Sequence, residues 1–132
     1  MTTVSEWPVR VYWEDTDAGG IVYHASYVRF MERGRGEWLR ERGISQAEMR
    51  TTERLQFAVV DMQVEWRRAA LFDDLLTVKT RLAEARGASF IFEQRIFRGE
   101  ELVTDARVRA AVLDSETLKP RRLPPALTRR FT

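Results

Sequence analysis

Cysteine is absent from the 132 residues, which excludes disulfides, thiolate metal sites and cysteine nucleophiles. The single histidine gives no spacing from which a metal site could be argued, so none is expected. No stretch approaches the roughly 18 apolar residues of a membrane helix. The leading MTTVSEWPVRVYWED holds no basic segment followed by an apolar run, so the expectation is a cytoplasmic chain with no membrane insertion. An excess of one charge sign is missing as well. Twenty-two basic against twenty acidic residues leave a net charge of +2, a poor basis for broad nucleic-acid binding. Neither repeats nor low-complexity segments occur.

What is present suits one folded unit. With 44% hydrophobic and 32% charged residues the chain has the composition of a soluble globular protein rather than a disordered one. Its length supports one compact core and is too short for two ordinary domains, so residues 1–132 are expected to form a single domain.

Residues 1 to 8 read as a short lead-in, with Pro8 at the edge of the first strand. Val9, Val11 and Trp13 then alternate with Arg10, Tyr12 and Glu14, the period of a strand with one face toward a core, and the strand stops at Asp15-Thr16-Asp17. Gly19 and Gly20 supply a bend. Ser26 is a candidate N-cap for a helix whose apolar positions Tyr27, Phe30, Met31, Trp38 and Leu39 share one side, with Gly34 between them. Gly34 and Gly36 each cost about 1 kcal/mol against alanine in a helix interior, and close approach to a sheet is the expected reason. Gly43 suits a left-handed C-terminal cap. Ile44 to Arg54 is a link in which Ser45 can cap a short helical turn.

Four strands follow. Leu55–Trp66 alternates from Ala58 on, Ala58, Val60, Met62, Val64 and Trp66 against Val59, Asp61, Gln63 and Glu65. Asp61 reads as a solvated or cross-strand-paired acid. Leu75 to Glu84 turns Leu76, Val78, Thr80 and Leu82 to one face, and Arg86-Gly87-Ala88 is a turn. Ser89 to Arg98 and Leu102 to Leu113 form a hairpin around Gly99-Glu100, with Phe90, Phe92, Gln94, Ile96 and Ala106, Val108, Ala110, Val112 inward. Strand, long helix and four strands make an α+β chain whose amphipathic helix must bury its face on the one sheet available.

The stretch between first strand and helix carries the chemistry. A helix N-terminus presents unpaired amide hydrogens and the positive end of a dipole, which together can hold a developing oxyanion. Asp17 lies just upstream, across the bend. On geometry alone, an acid before a helix is more often a cap or turn former than a catalyst, and a lone histidine there is more often a surface or capping residue. Tyr23 can line a pocket, give a hydroxyl to substrate, or simply pack. Glu14, Asp15 and Glu32 are alternative acids.

Asp17-Ala18-Gly19-Gly20-Ile21-Val22-Tyr23-His24-Ala25-Ser26-Tyr27, preceded by Tyr12-Trp13-Glu14-Asp15-Thr16, resembles the signature of the hot-dog acyl-CoA thioesterases. The nearest group is the 4-hydroxybenzoyl-CoA thioesterase-like family, in its YbgC or Tol-Pal-associated branch. Agreement continues through Val64-Glu65-Trp66-Arg67-Arg68-Ala69-Ala70, Asp73-Asp74 and Lys119-Pro120. Relatives often have tyrosine at the place of Trp66 and proline at the place of Ala69, departures that bear on the acyl pocket or its adjoining turn.

The resemblance implies a hot-dog fold, an antiparallel five-stranded sheet wrapped around one long central helix. It implies homo-oligomers, dimers commonly paired into tetramers, with each active site at a dimer interface. The implied reaction is hydrolysis of an acyl-CoA to acid and CoA, with coenzyme A as part of the substrate and no separate cofactor. Asp17 aligns with the catalytic aspartate, as general base or nucleophile, and His24 with an active-site histidine whose backbone amide lies where the carbonyl is polarised. Gly20 and Tyr23 fall among the substrate-binding positions. For the phosphates of coenzyme A, Arg86 is one candidate, and the cluster Lys119, Arg121, Arg122, Arg129 and Arg130 another. Alternatives are a non-catalytic module binding acyl-CoA or an acyl-carrier protein, and a hot-dog acyl dehydratase. The dehydratases pair a histidine with an acid from the long helix, whereas His24 is expected ahead of it.

Overall fold

The computed structural model describes residues 4–131; of the lead-in, residues 1–3 lie outside them. Five strands, β1 (Ser5–Arg10), β2 (Leu55–Trp66), β3 (Leu75–Arg86), β4 (Ser89–Arg98) and β5 (Glu101–Asp114), form one antiparallel sheet in the order β1-β3-β4-β5-β2. Helix α1 (His24–Glu41) lies across its inward side. This is the hot-dog arrangement. Short helices α2 (Gln46–Glu48) and α3 (Pro125–Thr128) complete it. The Ser45 hydroxyl caps α2 by accepting the Glu48 amide at 3.2 Å.

The helical stripe is buried as its spacing requires. Tyr27, Phe30, Met31, Gly34, Trp38 and Leu39 all face the core. The backbone of α1 lies nearest β1 and β3, and Trp38 reaches across to the Phe92 ring on β4 at 5.3 Å. Gly34 permits that approach. A Cβ there would sit 2.7 Å from Val78 Cγ1 and 2.9 Å from Thr80 Oγ1. Gly36, two residues on and turned to another side of the helix, meets only Arg40 and Gln46 at 3.8 Å, so the sheet-contact explanation holds for Gly34 and fails for Gly36. Beneath α1, Gln94 is fully buried and satisfied. Its Nε2 donates to the Met31 carbonyl at 2.8 Å and to Thr80 Oγ1 at 2.9 Å, while Arg35 donates to its Oε1 at 2.9 Å. Burial holds the Arg35 guanidinium below its usual pKa, against the charge of Glu32.

Three local expectations need correction. The first strand covers Ser5–Arg10 rather than Val9 to Glu14, because Trp13–Asp15 forms a 3-10 turn. The Asp15 carboxylate accepts the Tyr12 amide at 2.8 Å, an interaction that competes with a ladder, and Trp13 swings outward to stack on Phe72. Secondly, α1 begins at His24 with Tyr23 as N-cap, so Ser26 lies inside the first turn and His24 on the helix. Thirdly, β2 is bulged between Val59 and Asp61. An extra residue reverses the alternation, so Phe57 and Val59 join Met62 and Val64 on the inward side instead of Ala58 and Val60. Asp61 pairs across the sheet with Arg109 at 3.3 Å, as its alternation suggested. The tail also contributes to the core: Phe131 is buried against Trp38, Phe57 and Phe90.

The segment from Arg67 to Asp74, between β2 and β3, is held by Arg98. Its guanidinium donates to the Ala69 carbonyl, to Asp74 Oδ2 at 2.7 Å and to Glu101 Oε1 at 2.7 Å. Desolvation pushes the Asp74 carboxyl up, but the Leu71 amide and Arg98 outweigh it and hold the group below the usual aspartate range.

Gly34→Ala is expected to lower stability by about 1–3 kcal/mol despite the helix propensity gained, because overpacking forces α1 off the sheet; a denaturant midpoint equal to that of the parent would show that the sheet yields freely. A depressed native pKa at Asp74 adds stability that is present above the unfolded value of about 3.9 and lost as pH falls through the lower folded value. Arg98→Met is therefore expected to shrink the difference between urea midpoints measured at neutral and strongly acidic pH.

Candidate active site

The loop from Val11 to Tyr23 is built by backbone bonds that return it to the start of α1. Thr16 and Val22 form an antiparallel bridge, and Ile21 bridges Leu71. Inside this small hairpin the Asp17 amide donates to the Ile21 carbonyl, and the Gly20 amide to the Asp17 carbonyl, both at 3.0 Å. Gly20 takes a left-handed φ of 81°, which glycine adopts without penalty. Gly19 sits directly over the acid, its amide donating to Asp17 Oδ1 at 2.8 Å. A Cβ there would lie 3.2 Å from that oxygen.

The loop is locked to the helix through Asp15. Its carbonyl accepts the Tyr23 amide at 2.9 Å and the Ser26 hydroxyl at 3.0 Å. Arg29 donates to Ser26 Oγ at 3.0 Å and lies 3.5 Å from the buried Asp15 carboxylate. On the other side, Trp66 at the end of β2 donates its indole N–H to the His24 carbonyl at 3.1 Å and sets its ring at right angles to the imidazole, 5.7 Å away.

These constraints bring Asp17 and His24 onto one cavity of about 340 Å³, whose wall also includes Ile21, Val22, Tyr27, Trp66, Arg67, Arg68 and Ala69. His24 and Ala25 open α1 beside it, where amide hydrogens have no intrahelical acceptor. Tyr27, expected only in the core, is both buried and part of this wall. Its hydroxyl accepts the Ala70 amide at 3.0 Å, and burial pushes its pKa up. A carboxylate, an imidazole and a helix tip around one opening can attack a carbonyl and stabilise the oxygen anion that results.

Other expected site residues fall elsewhere. Tyr23 is exposed, its ring 4.5 Å from that of His24; like Gly20 it supports the loop and does not form part of the cavity wall. Arg86 ends β3, eleven residues from Leu75 and so roughly 35 Å along the strand from the cavity's side of the sheet. The tail arginines are partly engaged by their own chain, Arg121 with the Glu53 carbonyl and Asp114, Arg130 with the Gly43 carbonyl. Sequence reasoning missed Arg67 and Arg68 as wall residues, although Trp66 and Ala69 on either side of them were singled out.

A larger depression of about 420 Å³ on the outer side of the sheet is lined by Glu65, Glu93, Arg95, Asp105 and Arg107 among others. Its charged groups pair with one another, and no helix end reaches it. Among the described residues, no group of three His, Asp or Glu side chains is arranged to hold a metal, and no helix is long and apolar enough to cross a membrane.

Comparison with known proteins identifies the family. The model of the thioesterase-like superfamily matches residues 11–131. The acyl-CoA thioester hydrolase YbgC of Escherichia coli O6:H1 is 47% identical over 131 residues, covering 98% of this chain and 97% of the relative. The crystal structure of a probable thioesterase from Bartonella henselae superposes with a TM-score of 0.89 at 42% identity, over 92% of this chain and all of the other. A DHNA-CoA thioesterase from Staphylococcus aureus shares the fold at a TM-score of 0.92 and 23% identity, over 97% of this chain and 88% of its own. By family model, near-full-length identity and fold, the chain belongs to the thioesterase-like superfamily, in its YbgC-type acyl-CoA thioesterase branch.

Proposed function

We propose that this chain hydrolyses acyl-CoA thioesters in the cytoplasm with Asp17 as the reacting carboxylate and the first-turn amides of α1, at His24, polarising the carbonyl. The observation that supports this most is the meeting of Asp17 and the α1 N-terminus on one cavity. As general base, Asp17 takes a proton from a water that attacks the carbonyl carbon; as nucleophile, its oxygen forms a mixed anhydride and expels the CoA thiolate, and water then cleaves the anhydride. In either route the tetrahedral oxygen carries the charge that helix amides stabilise. In this reading the His24 ring, which contacts the rings of Tyr23 and Trp66, orients water or the thiol leaving group.

A homodimer, paired further into tetramers, is part of the same reading. β2 closes one side of the sheet order with an unpaired edge, and Val59, Val60 and Trp66 on it are exposed. Long edges of this kind are normally covered. An acyl-carrier protein would present the same pantetheine thioester as coenzyme A and is an alternative donor. Phosphate contact by Arg86 or by the tail arginines then belongs to the assembled oligomer.

Free-thiol release from short, medium, long and aromatic acyl-CoAs tests the reading. Asp17→Asn is expected to keep fold and oligomer while kcat falls on the order of a thousandfold with little change in KM; near-normal turnover would remove Asp17 from the mechanism. His24→Ala should cost less, about tenfold in kcat, and an unchanged kcat would return the ring to a supporting role. Binding of acyl-CoA without thiol release across the whole panel would favour the scaffold reading. Single turnover in heavy-oxygen water identifies an anhydride opened by water at the Asp17 carbonyl, since the label then enters the Asp17 carboxylate and the product acid carries an unlabelled Asp17 oxygen, whereas the general-base route labels the product acid alone.

A further inference from the structure

The reacting cavity has three ionisable side chains of fixed charge in its wall: the Asp17 carboxylate and the guanidinium groups of Arg67 and Arg68. The other wall residues are His24 and five apolar or aromatic ones. Two of the three are cations, and they share a wall with the carboxylate beside the place where the thioester must sit.

The backbone that carries the pair is firmly held. The amides of Arg67 and Arg68 both donate to the Val103 carbonyl, at 2.9 and 3.1 Å. The next two residues are tied as well, Ala69 through its carbonyl to Arg98 and Ala70 through its amide to the Tyr27 hydroxyl. The Ala70 carbonyl in turn accepts the Val22 amide at 2.9 Å, so the segment bearing the arginines is bonded directly to the hairpin bearing Asp17.

Their side chains are held only lightly. Arg67 lies 3.3 Å from Asp105 and 3.5 Å from Glu65, and Arg68 3.1 Å from Glu101. Both guanidinium groups are about half exposed, at 45% and 61%, where such pairs contribute ~0–1 kcal/mol and exchange readily with other anions. Each guanidinium has five N–H donors in a planar fork, and these contacts occupy a minority of them. A planar fork of this kind matches the oxygens of a carboxylate or phosphate in paired, charge-assisted bonds.

We propose that Arg67 and Arg68 read a negatively charged group of the thioester substrate at the mouth of the Asp17 cavity. Two sources supply that chemistry, a terminal carboxylate on a short dicarboxylic acyl group and a phosphate of coenzyme A. The cavity favours the carboxylate, since the arginines share a wall with Asp17 while the whole pantetheine arm separates thioester from phosphate. The inference rests on the thioesterase reading of the site.

The test compares glutaryl with pentanoyl thioesters, each carried on coenzyme A and on N-acetylcysteamine, which has no phosphate. The full-length parent, Arg67→Gln, Arg68→Gln and the double variant are assayed, with melting temperatures to verify folding and Arg→Lys variants in place of any that fails to fold. The double variant is expected to lose about tenfold in kcat/KM, through KM, for the substrates that carry the recognised anion. That loss should shrink as ionic strength rises. A loss confined to glutaryl thioesters on both carriers supports the carboxylate. A loss on both CoA thioesters that vanishes on N-acetylcysteamine supports the phosphate. Equal kcat/KM for parent and double variant on all four substrates overturns the proposal while the parent's turnover leaves the thioesterase reading intact. A parent inactive on every thioester overturns both.

Discussion

One carbonyl oxygen holds the Asp17 loop to the helix. Asp15 O accepts both the Tyr23 amide and the Ser26 hydroxyl, so the residue before the helix and a residue within its first turn are fastened to the same atom. The side chain of Asp15 works in the other direction, accepting the Tyr12 amide and facing Arg29. Everything between, Thr16 to Val22, is a closed hairpin whose ends cannot separate. Asp17 therefore keeps a set place relative to the α1 N-terminus without being packed into the core itself. Exposed loops otherwise tend to be mobile; here the Asp17 carboxylate is exposed while its backbone is anchored to buried groups.

The position of α1 on the sheet decides where the opening falls. Gly34 lets the helix descend over β1 and β3, and the inward side of β2 is left less covered, with Val59 and Trp66 each 48% exposed. β2 runs antiparallel to the helix, its last residue Trp66 against the first helical residue His24. The gap between them lies beside the helix amides, so the same packing that buries Trp38 and Phe30 also leaves a cavity where the dipole is positive. A helix centred over β5 would have closed it.

Much of this was legible in the residues. The inward sets of β3, β4 and β5 follow from period-two alternation, and the helix stripe from spacings of three, four and seven, because burial on one side imposes these periods. The hairpin glycines announced a bend, and Asp17 and His24 were legible through the length of their motif. Four features were hidden by non-local causes. The β2 bulge is set by its fit to β5, and alternation read along β2 alone carries no sign of it. Asp15 was ranked among spare acids, since its partners Tyr23, Ser26 and Arg29 are recognisable only once the loop has closed. Arg67 and Arg68 stood out only as part of a stretch shared with the family, and the return of the chain at Ala70 to Val22 and Tyr27 is what sets them in the wall beside Asp17. Phe131, in a tail notable in the sequence only for its basic cluster, is likewise a core residue by tertiary contact alone.

Turn formation and catalysis compete as explanations of Asp17 in the sequence, and in the folded chain the two are compatible. One carboxylate oxygen accepts the Gly19 amide, the bond that defines an Asx turn. Among the described residues no salt bridge engages the group, and its second oxygen is directed neither to a cation nor to another amide. A free carboxylate would sample many rotamers, and each attack would require it to be ordered first. Tethered by one oxygen, it meets the cavity with that ordering already done in folding. The same tether explains Gly19, because a side chain at that position would crowd the oxygen it must approach. A turn-forming aspartate and the reacting aspartate of the proposal thus ask for the same residue here, and the helix amides beside it complete the arrangement that the proposal uses.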